Sequence, residues 1–134
     1  MGKNKILLVD DEPDVIEFLS YNFKKYGYEV DSAKSGVEGI ERVRQYQPDL
    51  IIADIMMPDM DGTVMCRILK SHDEYKGIPL IFLSAVQDDY QVMRAGLTGA
   101  EEYISKPVTF TLLLNMVTKY LPHNKTSFTH AKIA

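Results

Sequence analysis

Acidic side chains crowd two short stretches of this chain. Asp10, Asp11, Glu12 and Asp14 fall within five positions, and Asp54, Asp59 and Asp61 within eight. Carboxylates brought together repel one another and lose hydration, so they require a cation. No His or Cys accompanies either stretch, and oxygen-only ligands select a hard ion, Mg²⁺ or Mn²⁺. Mg²⁺ keeps several waters and commonly takes a phosphate oxygen as a further ligand. A carboxylate beside such an ion and a lysine can attack phosphorus and become an aspartyl-phosphate. Catalysis of that step is mostly positioning and charge neutralisation. Ser84 and Lys106 are the hydroxyl and the ammonium such a site would use, if the fold brings them to the carboxylates.

The elements that would do so follow from hydrophobic period. Short β-rich runs at 6–9, 29–32, 50–53, 78–83 and 102–105 alternate with segments of helical spacing. The first helix begins near Pro13, which suits a first turn. It puts Val15, Phe18, Leu19, Asn22, Phe23 and Tyr26 on one face, and Gly27 stops it. The second, over 35–46, turns Val37, Ile40 and Val43 inward; the third, over 62–71, buries Met65, Cys66 and Leu69. A weaker helix covers 88–95. The last, over 109–121, buries Phe110, Leu113, Leu114 and Val117 and ends at Pro122. Five such units predict a doubly wound α/β fold, a parallel sheet with helices on both faces and right-handed crossovers.

In an open α/β sheet, ligands bind outside the carboxyl ends of the strands, at the point where strand order reverses. The polar residues sit at such ends: Asp10-Asp11 after the first strand, Asp54 after the third, Ser84 after the fourth, Ser105-Lys106 after the fifth. Taken singly, each has a plain reading. An Asp after a strand is often a helix N-cap, Asp61 before Gly62 reads as one, and Asp59 as a solvated loop residue. Placement at four strand ends together argues for a site.

Length and composition narrow the field. With 134 residues, 46% hydrophobic and 25% charged, the chain is one ordinary domain. One cysteine, Cys66, rules out an internal disulfide framework and favours a core role. No apolar run approaches the roughly 20 residues of a membrane helix, and the N-terminus does not read as a secretory signal; together with the lone cysteine this predicts a cytoplasmic protein. The net charge of −4 argues against direct nucleic-acid binding. Residues 1–121 are expected to form the domain and 122–134 a polar tail or the start of a truncated linker. His72, His123 and His130 read as surface residues.

Four segments carry a family resemblance: Leu8-Val9-Asp10-Asp11-Glu12-Pro13; Asp54 through Gly62 (Asp-Ile-Met-Met-Pro-Asp-Met-Asp-Gly); Leu83-Ser84-Ala85; and Gly99 through Pro107 (Gly-Ala-Glu-Glu-Tyr-Ile-Ser-Lys-Pro). In this order, with 30 residues from Asp54 to Ser84 and 22 from Ser84 to Lys106, they resemble the receiver domain of two-component response regulators, of the chemotaxis type, over about residues 4–121. The resemblance implies a flavodoxin-like sheet in the order 2-1-3-4-5, with the switch point between strands one and three. It implies Asp54 as phosphoacceptor, Asp11 as a direct Mg²⁺ ligand, Asp10 acting through water, and the Met56 backbone carbonyl as a third protein ligand. Lys106 would pair with the acids and then with a phosphoryl oxygen. Ser84 would bond another, and Tyr103 would be the aromatic that turns inward when Ser84 moves. Lys106-Pro107 would be a cis peptide. The side chains of Met56 and Val86 would flank the phosphoryl group and, being apolar, slow its hydrolysis. The phosphodonor would be a histidine kinase or histidine phosphotransfer protein. The change would be read on the face of the fourth and fifth strands and helices, with a phosphorylation-dependent dimer as one outcome.

Other readings remain open. A haloacid-dehalogenase-type phosphatase uses Asp, Ser, Lys and Mg²⁺, but its nucleophile sits in a DxD motif after the first strand, where this chain has Asp10-Asp11. A flavodoxin would need a phosphate loop where Asp10-Asp11-Glu12 would repel the ligand. A binding module that keeps the fold but is never phosphorylated is opposed by the complete acid, hydroxyl and lysine set.

Overall fold

The computed structural model describes residues 4–85 and 88–122. The strands are β1 (Lys5–Val9), β2 (Glu29–Ala33), β3 (Leu50–Ala53), β4 (Leu80–Ser84) and β5 (Glu102–Ser105). They alternate with helices α1 (Pro13–Lys25), α2 (Gly36–Tyr46), α3 (Gly62–Lys70), α4 (Asp89–Gly96) and α5 (Phe110–Tyr120). All neighbouring strands are parallel, in the order β2-β1-β3-β4-β5. The predicted class and order are therefore those of the structure.

The central strands are buried on both faces, as a parallel sheet between helix layers requires. Alternate residues feed separate cores. Ile6, Leu8, Ile52, Ile81 and Leu83 pack with Phe23 of α1 and Leu113 and Val117 of α5. Leu7, Val9, Ile51, Ala53 and Phe82 pack with Val43 of α2 and Met65, Cys66 and Leu69 of α3. Cys66 is fully buried, as its spacing predicts. Helix starts are chemically marked. Ser35 accepts from the Glu38 amide to cap α2, Asp61 from the Thr63 amide to cap α3, and Thr109 from the Leu112 amide to cap α5. Gly27 follows α1 with φ of 95°, a conformation that favours glycine.

Three side chains predicted to face the core do not. Phe18 and Val37 are 55% and 53% exposed, and Tyr26 is 38% exposed. Each lies on the expected helix side but at its margin. Phe18 and Tyr26 instead meet the half-buried Phe110 ring, at 6.4 and 5.7 Å. On α2 the inner positions are taken by Gly36, packed against Met60, and Gly39, packed against Val9 of β1 and Met65, and Val37 is left outside. Ile78 lies in the turn before β4, two residues ahead of the strand. His72 is exposed, as expected; His123, His130 and the tail after Pro122 lie outside the described residues.

Candidate functional site

Sheet hydrogen bonds run on past the strand ends and fix the backbone of the site. The Asp10 amide donates to Ala33 O at 3.0 Å, the Asp54 amide to Val9 O at 2.9 Å, and the Lys106 amide to Ser84 O at 2.9 Å. Asp10, Asp54, Ser84 and Lys106 thus come from four chain segments to one end of the sheet. Gly62 seats the β3–α3 loop beneath it. Its amide donates to Ile55 O at 2.8 Å, and a Cβ there would lie 2.1 Å from the Asp54 carbonyl oxygen. Only glycine allows that approach.

Asp10 and Asp54 are buried, 5% and 8% exposed. Asp10 Oδ1 accepts the Glu12 amide at 2.9 Å, and Asp54 Oδ1 accepts the Ile55 amide at 2.7 Å. Lys106 Nζ lies 3.3 Å from Asp10 Oδ2, 3.3 Å from Glu12 Oε1 and 3.8 Å from Asp54 Oδ2. The Asp10 carboxyl is pushed above its ordinary range. Burial raises it most and Asp54 adds to that, against the Glu12 amide and Lys106. Burial alone would lower the Lys106 ammonium, but the Asp10 and Asp54 charges outweigh it and hold the group above its usual value.

Carboxylate oxygens of Asp10, Glu12 and Asp54 lie within 4.8 Å of one another. Three negative charges face one ammonium, and every available donor is oxygen. That donor set and charge deficit fit a hard divalent cation. Asp11, by contrast, is exposed and lines a cleft of about 310 Å³ with Asp14 and Glu17; its carboxylate is not in the three-acid cluster. Glu12 is the member that strand-end reasoning missed. The acidic run contains it, but it stands third past the strand, where strand-end position alone does not mark it.

Neither Asp10 nor Asp11 caps α1. Glu12 is the N-cap, and its side chain makes no capping hydrogen bond. Ser84 is fully buried as the last residue of β4. Tyr103 is half-buried on β5, and its ring lies 6.5 Å from Phe82. Burial pushes the Tyr103 phenol up, Ser84 opposes this, and the Asp54 charge adds to it. Met56 is 62% exposed just past the buried Ile55. Val86 lies outside the described residues. The Lys106–Pro107 bond is cis, as the resemblance implies. No helix among the described residues is long and apolar enough to cross a membrane.

Known proteins resemble this chain in sequence and in fold. A family model described as the response regulator receiver domain matches residues 6–118. The phosphate regulon transcriptional regulatory protein PhoB of Rhizobium meliloti is 35% identical over 121 residues, 90% of this chain and 53% of that protein. The signal receiver domain of a signal transduction histidine kinase from Syntrophus aciditrophicus is 35% identical, with a TM-score of 0.84 over 88% of this chain and 89% of its own. The chemotaxis response regulator CheY4 of Vibrio cholerae is 26% identical, with a TM-score of 0.82 over 89% of this chain and 99% of its own. The chain spans about half, or less, of the length of the curated relatives it matches.

Proposed function

Because the chain belongs to the response regulator receiver domain family, whose members act in phosphorylation-dependent signalling, we propose that Asp54 is its phosphoacceptor. One observation carries this reading: Asp10, Asp54 and Lys106 meet at the carboxyl ends of β1, β3 and β5, where strand order reverses.

An Asp54 carboxylate oxygen attacks the phosphorus of a phosphohistidine. A new acyl P–O bond forms, the P–N bond breaks, and the departing imidazole takes a proton from solvent. Lys106 meets the oxygens of the transferred group with its positive charge. Ser84 donates a hydrogen bond to another of them. The residues that would hold Mg²⁺, or Mn²⁺ in its place, are Asp10, Asp11, Asp54 and the Met56 carbonyl; of these Asp10 and Asp54 share the cluster. Bound there, the ion would neutralise charge on the transferring phosphoryl group. The domain supplies this chemistry to itself and is consumed as substrate, so it is a signalling module rather than a turnover enzyme.

The modified Asp54 gives Ser84 and Lys106 stronger partners in the active form, and the population shifts. Tyr103 follows, because it lies on β5 directly beside β4, opposite Phe82 and two residues short of the pair Ser84 makes with Ser105. The change is read on the face of β4, α4, β5 and α5. There α4 buries only Ala95 and leaves Tyr90 and Met93 exposed, with Leu97 exposed just past its end, which favours reading by a partner protein, a fused output segment or a second copy. The donor is a histidine kinase or histidine phosphotransfer protein, and the setting is the cytoplasm. The same reading takes residues 1–121 as the receiver unit, 122–134 as a tail or linker, and assigns the chain no nucleic-acid contact of its own. Met56 and Val86 offer no polar group to orient water, so self-dephosphorylation is slow; Met56→Asn/Val86→Glu should quicken it.

Incubation with Mg²⁺ and acetyl phosphate should add one phosphoryl mass to the intact chain, stable in acid and labile in base. Asp54→Asn should lose it. Labelling that survives in Asp54→Asn overturns the assignment.

A further inference from the structure

Lys106 is not centred on Asp54. Its ammonium is 0.5 Å nearer to Asp10 and Glu12, at 3.3 Å each against 3.8 Å. Glu12 stands 94 residues away in the β1–α1 loop, so this contact is a strap from that loop to Lys106 across the mouth of the pocket. Its anchorage is firm at both ends. The Glu12 amide is held by Asp10 Oδ1, and its carbonyl accepts the Val15 and Ile16 amides that start α1. At the other end, the Lys106 amide is bonded to Ser84 O. A residue at an N-cap normally spends its side chain on the helix. Glu12 does not, which leaves its carboxylate available to Lys106.

We propose that Glu12 is a positioning residue of the acceptor site: in the unmodified domain it holds the Lys106 ammonium at the pocket mouth and competes with the phosphoryl group for it. The inference rests on the acceptor reading above. The ammonium has three N–H donors, and its two nearest carboxylates are not the acceptor. For Lys106 to engage a phosphoryl oxygen, the exposed end of this arrangement must yield, and that end is Glu12, 61% exposed against 7% for Asp10. Released into water, the Glu12 carboxylate is readily hydrated. Glu12 therefore tunes how far modification shifts the domain, and does not decide whether modification occurs. Exposed pairs of this kind are individually weak, so the expected effect is about two- to fivefold.

The test uses the full chain, saturating Mg²⁺ and trifluoroberyllate as the phosphoryl mimic, with binding read from backbone amide spectra. Wild-type protein binds and Asp54→Asn does not. Glu12→Gln should bind about two- to fivefold more tightly than wild type, while its melting temperature confirms an intact fold. In a Lys106→Met background the same substitution should leave affinity unchanged, because the competition runs through the ammonium. Unchanged or weaker binding by Glu12→Gln overturns the inference and leaves the acceptor reading standing. A gain of equal size in the Lys106→Met background also overturns it, and assigns the effect to general repulsion between Glu12 and the anion. If wild-type protein itself fails to bind the mimic, the acceptor reading falls and the inference falls with it.

Discussion

Lys70 and Lys106 both face acids, at opposite ends of the same sheet, and the two are built to opposite rules. Lys70 closes α3. Its ammonium donates to Glu101 Oε2 and Oε1 at 3.0 and 3.1 Å, to Ile78 O at 2.8 Å and to Lys76 O at 3.1 Å. Glu101 in turn accepts the Leu80 amide at 2.7 Å and donates its own amide to Leu80 O at 2.9 Å. One positive charge meets one negative charge, and backbone carbonyls take the remaining donors. Lys106 meets three carboxylates, none nearer than 3.3 Å. A matched pair with backbone partners is a brace, since nothing is gained by rearranging it. An ammonium outnumbered by anions can exchange partners, and its pocket still attracts positive charge.

The largest effect expected from this contrast is on the brace. Lys70→Met strands a Glu101 carboxylate that is 30% exposed and removes the donor to two carbonyls. Loss of a donor that serves one carboxylate and two backbone carbonyls should destabilise the fold by about 2–3 kcal/mol, which urea unfolding would register. The initial rate of Asp54 labelling in the folded fraction should stay at the wild-type value. A loss below about 1 kcal/mol would put Lys70 among ordinary surface lysines and end the contrast.

Lys106→Met should lose less, and in a way that metal repairs. Without the ammonium, Asp10, Glu12 and Asp54 repel one another without relief. We expect a loss of about 1–2 kcal/mol in EDTA. Millimolar Mg²⁺ should return most of it, because a cation that binds only the folded state adds stability by mass action. Lys70→Met should gain no more from Mg²⁺ than wild type does. Thermal unfolding of both variants with and without Mg²⁺ decides; equal responses would mean that the surplus charge at Lys106 does not attract a cation.

How much of this could be read from residue order differs between the two ends. The fold was legible because β1, β3 and β4 are short apolar runs and the helices between strands have periodic faces, and period and alternation are local properties. Asp10, Asp54, Ser84 and Lys106 were legible because each directly ends a strand. The Lys70–Glu101 brace was not, since nothing local marks a lysine and a glutamate 31 residues apart as partners. Glu12 escaped for a related reason. Its position reads as a helix start, and only the reach of its side chain toward Lys106 gives it another role. Phe18, Tyr26 and Val37 show the limit of period alone. A helix face tells which side points inward, but the depth of the neighbouring layer decides which residues at its edge are covered.

Acidity should act on the two charges of the pocket with opposite consequences at neutral pH. The Asp10 carboxyl is held above its ordinary 3.8, by burial first. Its contribution to stability is therefore fully present below 3.8 and is lost as pH rises through the folded value. Lys106 is held above 10.5, so its contribution is fully present below 10.5 and is lost only as pH climbs through its own folded value. At pH 7 without metal, ionised Asp10 is thus a liability and Lys106 an asset. Asp10→Asn, which can still accept the Glu12 amide, should be more stable than wild type at pH 7 in EDTA. The gain should shrink to nothing below pH 3.8. Urea unfolding across that range would expose the opposite trend, if burial of Asp10 were fully compensated by Lys106.

The smallest effect belongs to a third lysine, which shows what a pair without either design is worth. Glu102 follows Glu101 but points to the other side of the sheet, where Lys119 Nζ lies 3.1 Å away and the Tyr120 hydroxyl also donates to it. The Tyr120 bond, ahead of Lys119, holds the Glu102 carboxyl below its ordinary 4.5. That stabilisation is present above 4.5 and is lost as pH falls through the folded value. Lys119 is 62% exposed, so water screens its share. Lys119→Ala should change unfolding free energy by no more than about 0.5 kcal/mol, and Tyr120→Phe should cost more, because it removes the stronger of the two contacts. Were Lys119→Ala to match Lys70→Met, proximity to a carboxylate alone would account for all three lysines, and the backbone carbonyls around Lys70 would carry none of the difference.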